Sequence, residues 1–211
     1  VILVCDAALF DMDGTIVDSN ACVVRQWRRW AARHGLDIDR VLERSHGRRT
    51  IETMRELAPD LDHASEVRRF IADEAADLDD IASVPGAVEL VRRLPAGRWG
   101  VVTSSPRAVA EPRLRCAGFP QPGVLVTADD VVNGKPDPES YVTAARTLGV
   151  VPGRCLVFED ANSGLHAARA AGMTVVGVDY THREELECEH IIRSFEVVRI
   201  EIGEELRVAI G

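Results

Sequence analysis

Short, nearly unbroken apolar runs alternate along this chain with stretches in which apolar residues recur every three or four positions. Residues 1–10, 99–103, 124–127, 155–158 and 174–178 are too short for helices and rich in Val, Leu and Ile. They read as strands buried on both faces. Between them, Ala87, Leu90, Val91 and Leu94 share one helical face, and so do Tyr141, Ala144, Ala145 and Leu148. Strand and helix in alternation predict right-handed crossovers, hence an α/β fold with a doubly wound parallel sheet and helices on both sides.

Residues 18–84 break this rhythm. Val23, Trp27, Trp30, Ala31 and His34 fall at helical spacing, as do Val67, Phe70, Ile71, Ala75 and Leu78, with no evident strand between the two sets. The segment reads as an all-helical insertion that closes near Val84-Pro85-Gly86, where Pro and Gly punctuate the return. The expected organisation is therefore a discontinuous α/β core, residues 1–17 and 85–211, carrying a helical domain of residues 18–84. Trp27 and Trp30 are expected in the core of that insertion. The last strands, 197–202 and 206–210 around Gly203-Glu204-Glu205, predict a terminal hairpin.

Composition narrows the function. A net charge of −9 without a basic stripe argues against nucleic acid as partner. It also means that an anionic substrate must be drawn by a local positive site. No apolar run reaches the ~20 residues of a membrane span, so no membrane partner is expected. The five cysteines, Cys5, Cys22, Cys116, Cys155 and Cys188, lack metal-binding or disulfide spacing and read as small apolar residues of a reducing, cytoplasmic protein. Nothing suggests a coiled coil, and a monomer is expected.

The chemistry-bearing residues gather at predicted strand ends, where parallel sheets bind their ligands. The first strand runs into Phe10-Asp11-Met12-Asp13-Gly14-Thr15. On extended chain two such carboxylates point to one side, roughly 7 Å apart, and Gly14 allows a sharp turn. The second strand ends in Thr103-Ser104-Ser105, whose hydroxyls suit an anion beside a helix start. Lys135 is held between Gly134 and Pro136, with Pro138 beyond. Glu159 and Asp160 close a further strand, and burying both there is costly unless a cation compensates. Hard oxygen donors without His or Cys favour Mg²⁺ over zinc.

These motifs, in this order, resemble the haloacid dehalogenase superfamily over nearly the whole chain. The loop Ser45-His46-Gly47-Arg48-Arg49-Thr50 and the stretch Val126-Thr127-Ala128-Asp129-Asp130-Val131 are similar to its glycerol-phosphate, 2-deoxyglucose-6-phosphate and related sugar phosphatases. The resemblance implies a Mg²⁺-dependent phosphatase of small phosphorylated metabolites with a helical cap. It casts Asp11 as nucleophile and Asp13 as acid and base, with acidic neighbours to keep it protonated. Thr103 and Lys135 complete the catalytic set. Phosphate would be bound by Met12, Gly14, Thr103, Ser104 and Lys135. Magnesium would be held by Asp11, the Asp13 carbonyl, Glu159 and Asp160. His46, Arg48 and Arg49 are the candidate substrate contacts of the cap, and Asp18-Ser19 the hinge. A β-phosphoglucomutase-like isomerase is the nearest alternative, but its relatives carry a cap histidine ten residues after the second Asp, where this chain has Val23. Phosphoglycolate is a further conceivable substrate.

Overall fold

The apolar runs do become buried strands in the computed structural model, which describes residues 1–181 and 185–211. All five runs contribute, as β2 (Ala7–Phe10), β5 (Trp99–Val102), β6 (Leu125–Val126), β7 (Cys155–Glu159) and β8 (Thr174–Val178), and with β9 (Ile191–Ile192), which no apolar run foretold, they form a parallel sheet in the order β6-β5-β2-β7-β8-β9. Successive residues feed opposite faces. Ala8, Phe10, Val101, Leu156 and Phe158 pack against α5 (Ala87–Arg93) and α6 (Arg107–Cys116). Ala7, Leu9, Val102 and Val157 pack against α7 (Glu139–Leu148) and α8 (Asn162–Ala170). Both faces are thus covered, which is why the strands read as continuous apolar runs rather than alternating ones.

Two strand expectations need correction. Residues 1–10 are not one strand: β1 (Ile2–Cys5) and β2 lie in different sheets. Arg154 makes the break, its guanidinium gripping the Asp6 carboxylate at 3.1 and 2.8 Å while its carbonyl accepts from the Asp6 N–H. β1 instead joins the expected hairpin, β10 (Val198–Ile202) and β11 (Leu206–Ile210), as a third antiparallel strand. Residues 18–84 also contain strand. β3 (Val17–Asp18) pairs antiparallel with β4 (Ala82–Ser83), a two-rung ribbon where the chain leaves the sheet and returns.

Between β3 and β4 run α1 (Asn20–His34), α2 (Ile38–Ser45), α3 (Thr50–Leu57) and α4 (His63–Ala76). They enclose a core of their own: Trp27, Trp30, Ala31, Val41, Met54 and Phe70. The Trp27 ring lies 4.4 Å from Phe70 and 5.4 Å from Trp30, and the Trp30 indole N–H donates to Glu66 at 3.1 Å. Both tryptophans are core residues, as their spacing implied. No helix among the described residues is long and apolar enough to cross a membrane.

The strand order fixes where chemistry can sit. From β2 the chain builds outward through β5 and β6, then returns to β7 and builds the other way. The crevice of such a switch lies between the carboxyl ends of β2 and β7. Phe10 is level with both Val101 and Phe158, and its ring stacks on that of Phe158 at 5.1 Å, so the three strands end together.

Candidate active site

Asp11, one residue past β2, is pinned by its N–H to the Phe158 carbonyl at 3.0 Å and is buried. Its Oδ1 accepts from Lys135 Nζ at 2.6 Å. The same ammonium donates to Glu159 Oε1 at 2.5 Å and to the Val102 carbonyl at 3.1 Å, so all its hydrogens are used. Tyr141, on α7, donates to Glu159 Oε1 at 2.7 Å and lays its ring against Lys135. Thr103, at the end of β5, is buried and lines the same cavity as Asp11. Four motifs far apart in sequence therefore converge, as expected.

Carboxylate oxygens of Asp11, Glu159 and Asp160 lie within 4.8 Å of one another, all three buried. Thr15 donates to Asp160 Oδ1 at 3.2 Å. The packing is close: a side-chain carbon on Gly14, whose φ is 86°, would fall 2.0 Å from Asp160 Oδ2. One on Gly164 would fall 1.8 Å from Glu159 Oε1. Burial first, then the charge of Glu159, pushes the Asp11 carboxyl well up, and Lys135 only partly opposes this. Burial works against the Lys135 ammonium too, but Asp11 and Glu159 outweigh it, and Lys135 stays protonated. The Tyr141 hydroxyl is also driven up, by burial and then by Glu159, and remains a neutral donor. Three carboxylates facing one ammonium leave an excess of negative charge at a site of hard oxygens, which fits a divalent cation such as Mg²⁺.

Asp13 faces a different set of groups. Its Oδ1 accepts from Ser19 Oγ at 2.7 Å and from Arg113 Nη1 at 2.9 Å, and its Oδ2 from Ser105 Oγ at 2.8 Å. Its carboxylate is not part of the three-acid cluster, so only its carbonyl is left for a metal there. The acidic neighbours expected to crowd it are not its partners; two hydroxyls and a guanidinium are. Met12 is fully buried in the core, which leaves only its backbone for phosphate.

A cavity of about 80 Å³ opens between the sheet and the helical insertion, walled by Asp11, Asp13, Thr103 and Arg113 on one side and by Trp27, Arg48 and Glu74 on the other. A larger cavity, about 530 Å³, lies under α6 and β6, but none of these acids lines it. The loop after α2 reaches onto the sheet: His46 Nε2 is 3.2 Å from the Asp160 carbonyl, and the Gly47 carbonyl accepts from Ser104 at 3.0 Å and Ser163 at 3.3 Å. The Ser104 hydroxyl is thus spent on this docking, not held open for phosphate. Of the two arginines proposed for substrate, Arg48 lines the cavity and pairs with Glu56 at 2.6 Å. Arg49 does not reach it. It pairs with Glu52 and donates to the Val132 carbonyl at 3.0 Å, bracing the loop ahead of Lys135. Val23 lines the cavity, so the position where a mutase would carry its histidine does face the site, with an aliphatic group.

The sequence pattern does not single out Arg113, Glu74 or Tyr141 as site residues, and it offers Ser105 only as one hydroxyl of an anion-binding strand end, not as a partner of Asp13. Tyr141 was visible only as one apolar position of α7, and Arg113 as one arginine among several on α6.

A parallel sheet with these acids and this lysine at its switch point, under a helical insertion, defines a hydrolase class. Residues 5–172 match the haloacid dehalogenase-like hydrolase family, and the chain belongs to it. Among similar proteins, hexitol phosphatase A of Escherichia coli (strain K12) is 42% identical over 83% of this chain and 83% of its own length. Glycerol-1-phosphate phosphohydrolase 2 of Saccharomyces cerevisiae (strain ATCC 204508 / S288c) is 33% identical over 92% of this chain and 84% of its own. A β-phosphoglucomutase structure from Clostridium difficile superposes with a TM-score of 0.78 over 90% of this chain and 91% of that one; at 23% identity it shows the shared fold alone.

Proposed function

We propose that this chain is a Mg²⁺-dependent phosphatase of small sugar and polyol phosphates, working through an aspartyl-phosphate on Asp11 beneath a cap formed by residues 18–84. The observation that carries this reading is the placement of Asp11. It is buried at the switch point with Lys135 on one oxygen and Glu159 and Asp160 close by, and it faces a cavity closed by the helical insertion.

Asp11 attacks phosphorus and the bond to the leaving oxygen breaks, splitting one hard displacement into two. Asp13 gives a proton to that oxygen, then takes one from the water that releases phosphate. Thr103 holds a phosphoryl oxygen, and Lys135 takes another by exchanging one of its three bonds, to Asp11, Glu159 or the Val102 carbonyl, for it; preorganised donors of this kind contribute about 3–4 kcal/mol each. Asp11, Glu159, Asp160 and the Asp13 carbonyl would hold Mg²⁺, which would supply charge neutralisation for the transferred group. Arg48, which lines the cavity, would meet the substrate, and Arg49, bonded to the Val132 carbonyl, would hold the Lys135 loop in position.

The substrate class is supported by what the relatives' names say of them, a hexitol phosphatase and a glycerol phosphate phosphohydrolase. The isomerase alternative is disfavoured by Val23, whose side chain cannot relay a proton. The deciding experiment measures phosphate release from hexitol, glycerol and hexose phosphates and phosphoglycolate, with Mg²⁺ and with a chelator. Mg²⁺-dependent release, highest for a polyol or sugar ester, is expected. Conversion of β-glucose 1-phosphate to glucose 6-phosphate in place of free phosphate would overturn it.

A further inference from the structure

The cavity wall holds a buried ionic link that the steps above leave unused. Arg113, on α6, is 1% exposed. One end of its guanidinium, Nη1, donates to Asp13 Oδ1 at 2.9 Å, and the other, Nη2, donates to Glu74 Oε1 at 3.0 Å. Nη2 also lies 3.6 Å from Cys22 Sγ. Glu74 belongs to α4, in the helical insertion, whereas Asp13 follows β2 in the sheet. A single side chain therefore ties together the two bodies that enclose the cavity.

Stability is a poor explanation for this link. A buried ion pair is often no better than apolar side chains of the same volume, and it penalises any step that separates it. Arg113 Nε is moreover buried without a hydrogen-bond partner among the described residues, a cost that a purely structural contact would be selected to avoid. What the arrangement does supply is direction. The planar fork of a guanidinium fixes the direction of both bonds, one end on Asp13 and the other on Glu74, a geometry that the rotatable ammonium of a lysine does not impose. Ser19 and Ser105 fix the Asp13 oxygens from two other sides, and Ser19 sits one residue beyond β3, where the chain leaves the sheet.

We propose that Arg113 is a positioning residue: it aims the Asp13 carboxylate at the leaving oxygen and, through Glu74, makes that aim conditional on the helical insertion being seated. The inference rests on the reading of Asp13 as acid and base given above.

The test exploits the leaving group. Nitrophenolate departs without a proton, whereas an alkoxide needs one, so a defect in Asp13 shows in the ratio of kcat/KM for glycerol phosphate to that for p-nitrophenyl phosphate. Asp13→Asn is expected to lower this ratio by ~10²-fold or more, in line with what general acids contribute. Arg113→Met should lower it in the same direction by about 10-fold or more, Arg113→Lys by less, and Glu74→Gln by a few-fold. Where Arg113→Met does not fold, as judged by circular dichroism, the double variant with Glu74→Leu removes both buried charges together and serves instead. If folded Arg113 variants depress both substrates equally while Asp13→Asn shifts the ratio, Arg113 is structural and the inference falls alone. If Asp13→Asn leaves the ratio unchanged, the acid-base reading of Asp13 falls and this inference with it.

Discussion

The two sides of the cavity are built on different terms. The floor, Asp11 and Thr103 backed by Lys135, Glu159 and Asp160, comes from strand ends and the loop beside them, all fixed by one sheet. The wall, Asp13, Ser19, Arg113 and Glu74, draws on the sheet, the ribbon and α4, which belong to two separate cores. On the floor an ammonium is locked among carboxylates at 2.5–2.6 Å. Across the wall the groups are shared between bodies joined by a two-rung ribbon, a docked loop and the Arg113–Glu74 pair. The contrast teaches where rigidity was invested: the floor is locked by short ion pairs within one sheet, while the wall depends on groups contributed by two separately packed bodies.

The floor makes the largest demands. Asp11→Asn is expected to lower kcat by at least ~10³ with an unchanged circular dichroism spectrum, because the proposed reaction forms its phosphoryl bond on the Asp11 carboxylate. A variant that keeps most of its activity would remove the distinction between the two aspartates. Lys135→Met should cost about 10²-fold or more in kcat/KM. It should also lower stability by about 3–5 kcal/mol in chelator, since Asp11 and Glu159 lose their buried counter-ion; chemical denaturation with and without Mg²⁺ reads both effects.

Smaller effects belong to the helical side. Glu66 joins α4 to α1, accepting from His34 at 2.9 Å and from Trp30. The His34 contact, chiefly, holds its carboxyl below the usual range. A depressed carboxyl contributes stability that is complete above its unfolded value near 4.5 and is lost as pH falls through the folded one. Glu66→Gln should therefore lower stability by about 1–2 kcal/mol at pH 7, with the gap to wild type closing as the pH drops below that value; a gap that persists in acid would contradict the assignment. Least of all, Arg48→Ala should raise KM several-fold and Arg49→Ala change it less, differences of about 1 kcal/mol or under. Steady-state kinetics showing the reverse order would return Arg49 to the cavity.

The floor was legible in the sequence and the wall largely was not, for a physical reason. Asp11, Lys135, Glu159 and Asp160 each abut an apolar run or a Gly-Pro pair, so local pattern alone places them at strand ends or in a stiff loop. Arg113 shares α6 with Arg107 and Arg115, and only the packing of α6 against α4 decides which of the three is buried. No local spacing encodes a contact between Arg113 and Glu74. The same holds for the division at Asp6, which depends on Arg154 arriving from far along the chain. β3 and β4, two residues each, are too short to show any period. The two tryptophans of α1 were correctly placed because helical spacing is a local property.

The order of strands in the sheet carries a consequence for how the protein is made. β2, which bears Asp11 at its end, leaves the ribosome before either of the strands that flank it, β5 and β7. Its two ladders close distant contacts, and such pairings are slow because the loop between them must be ordered first. Until Cys155–Glu159 has emerged, the central strand has one open edge, and Lys135 lacks one of its two carboxylate anchors. A nascent chain that stops short of Glu159 carries Asp11 but lacks both acids, Glu159 and Asp160, that complete the cluster around it.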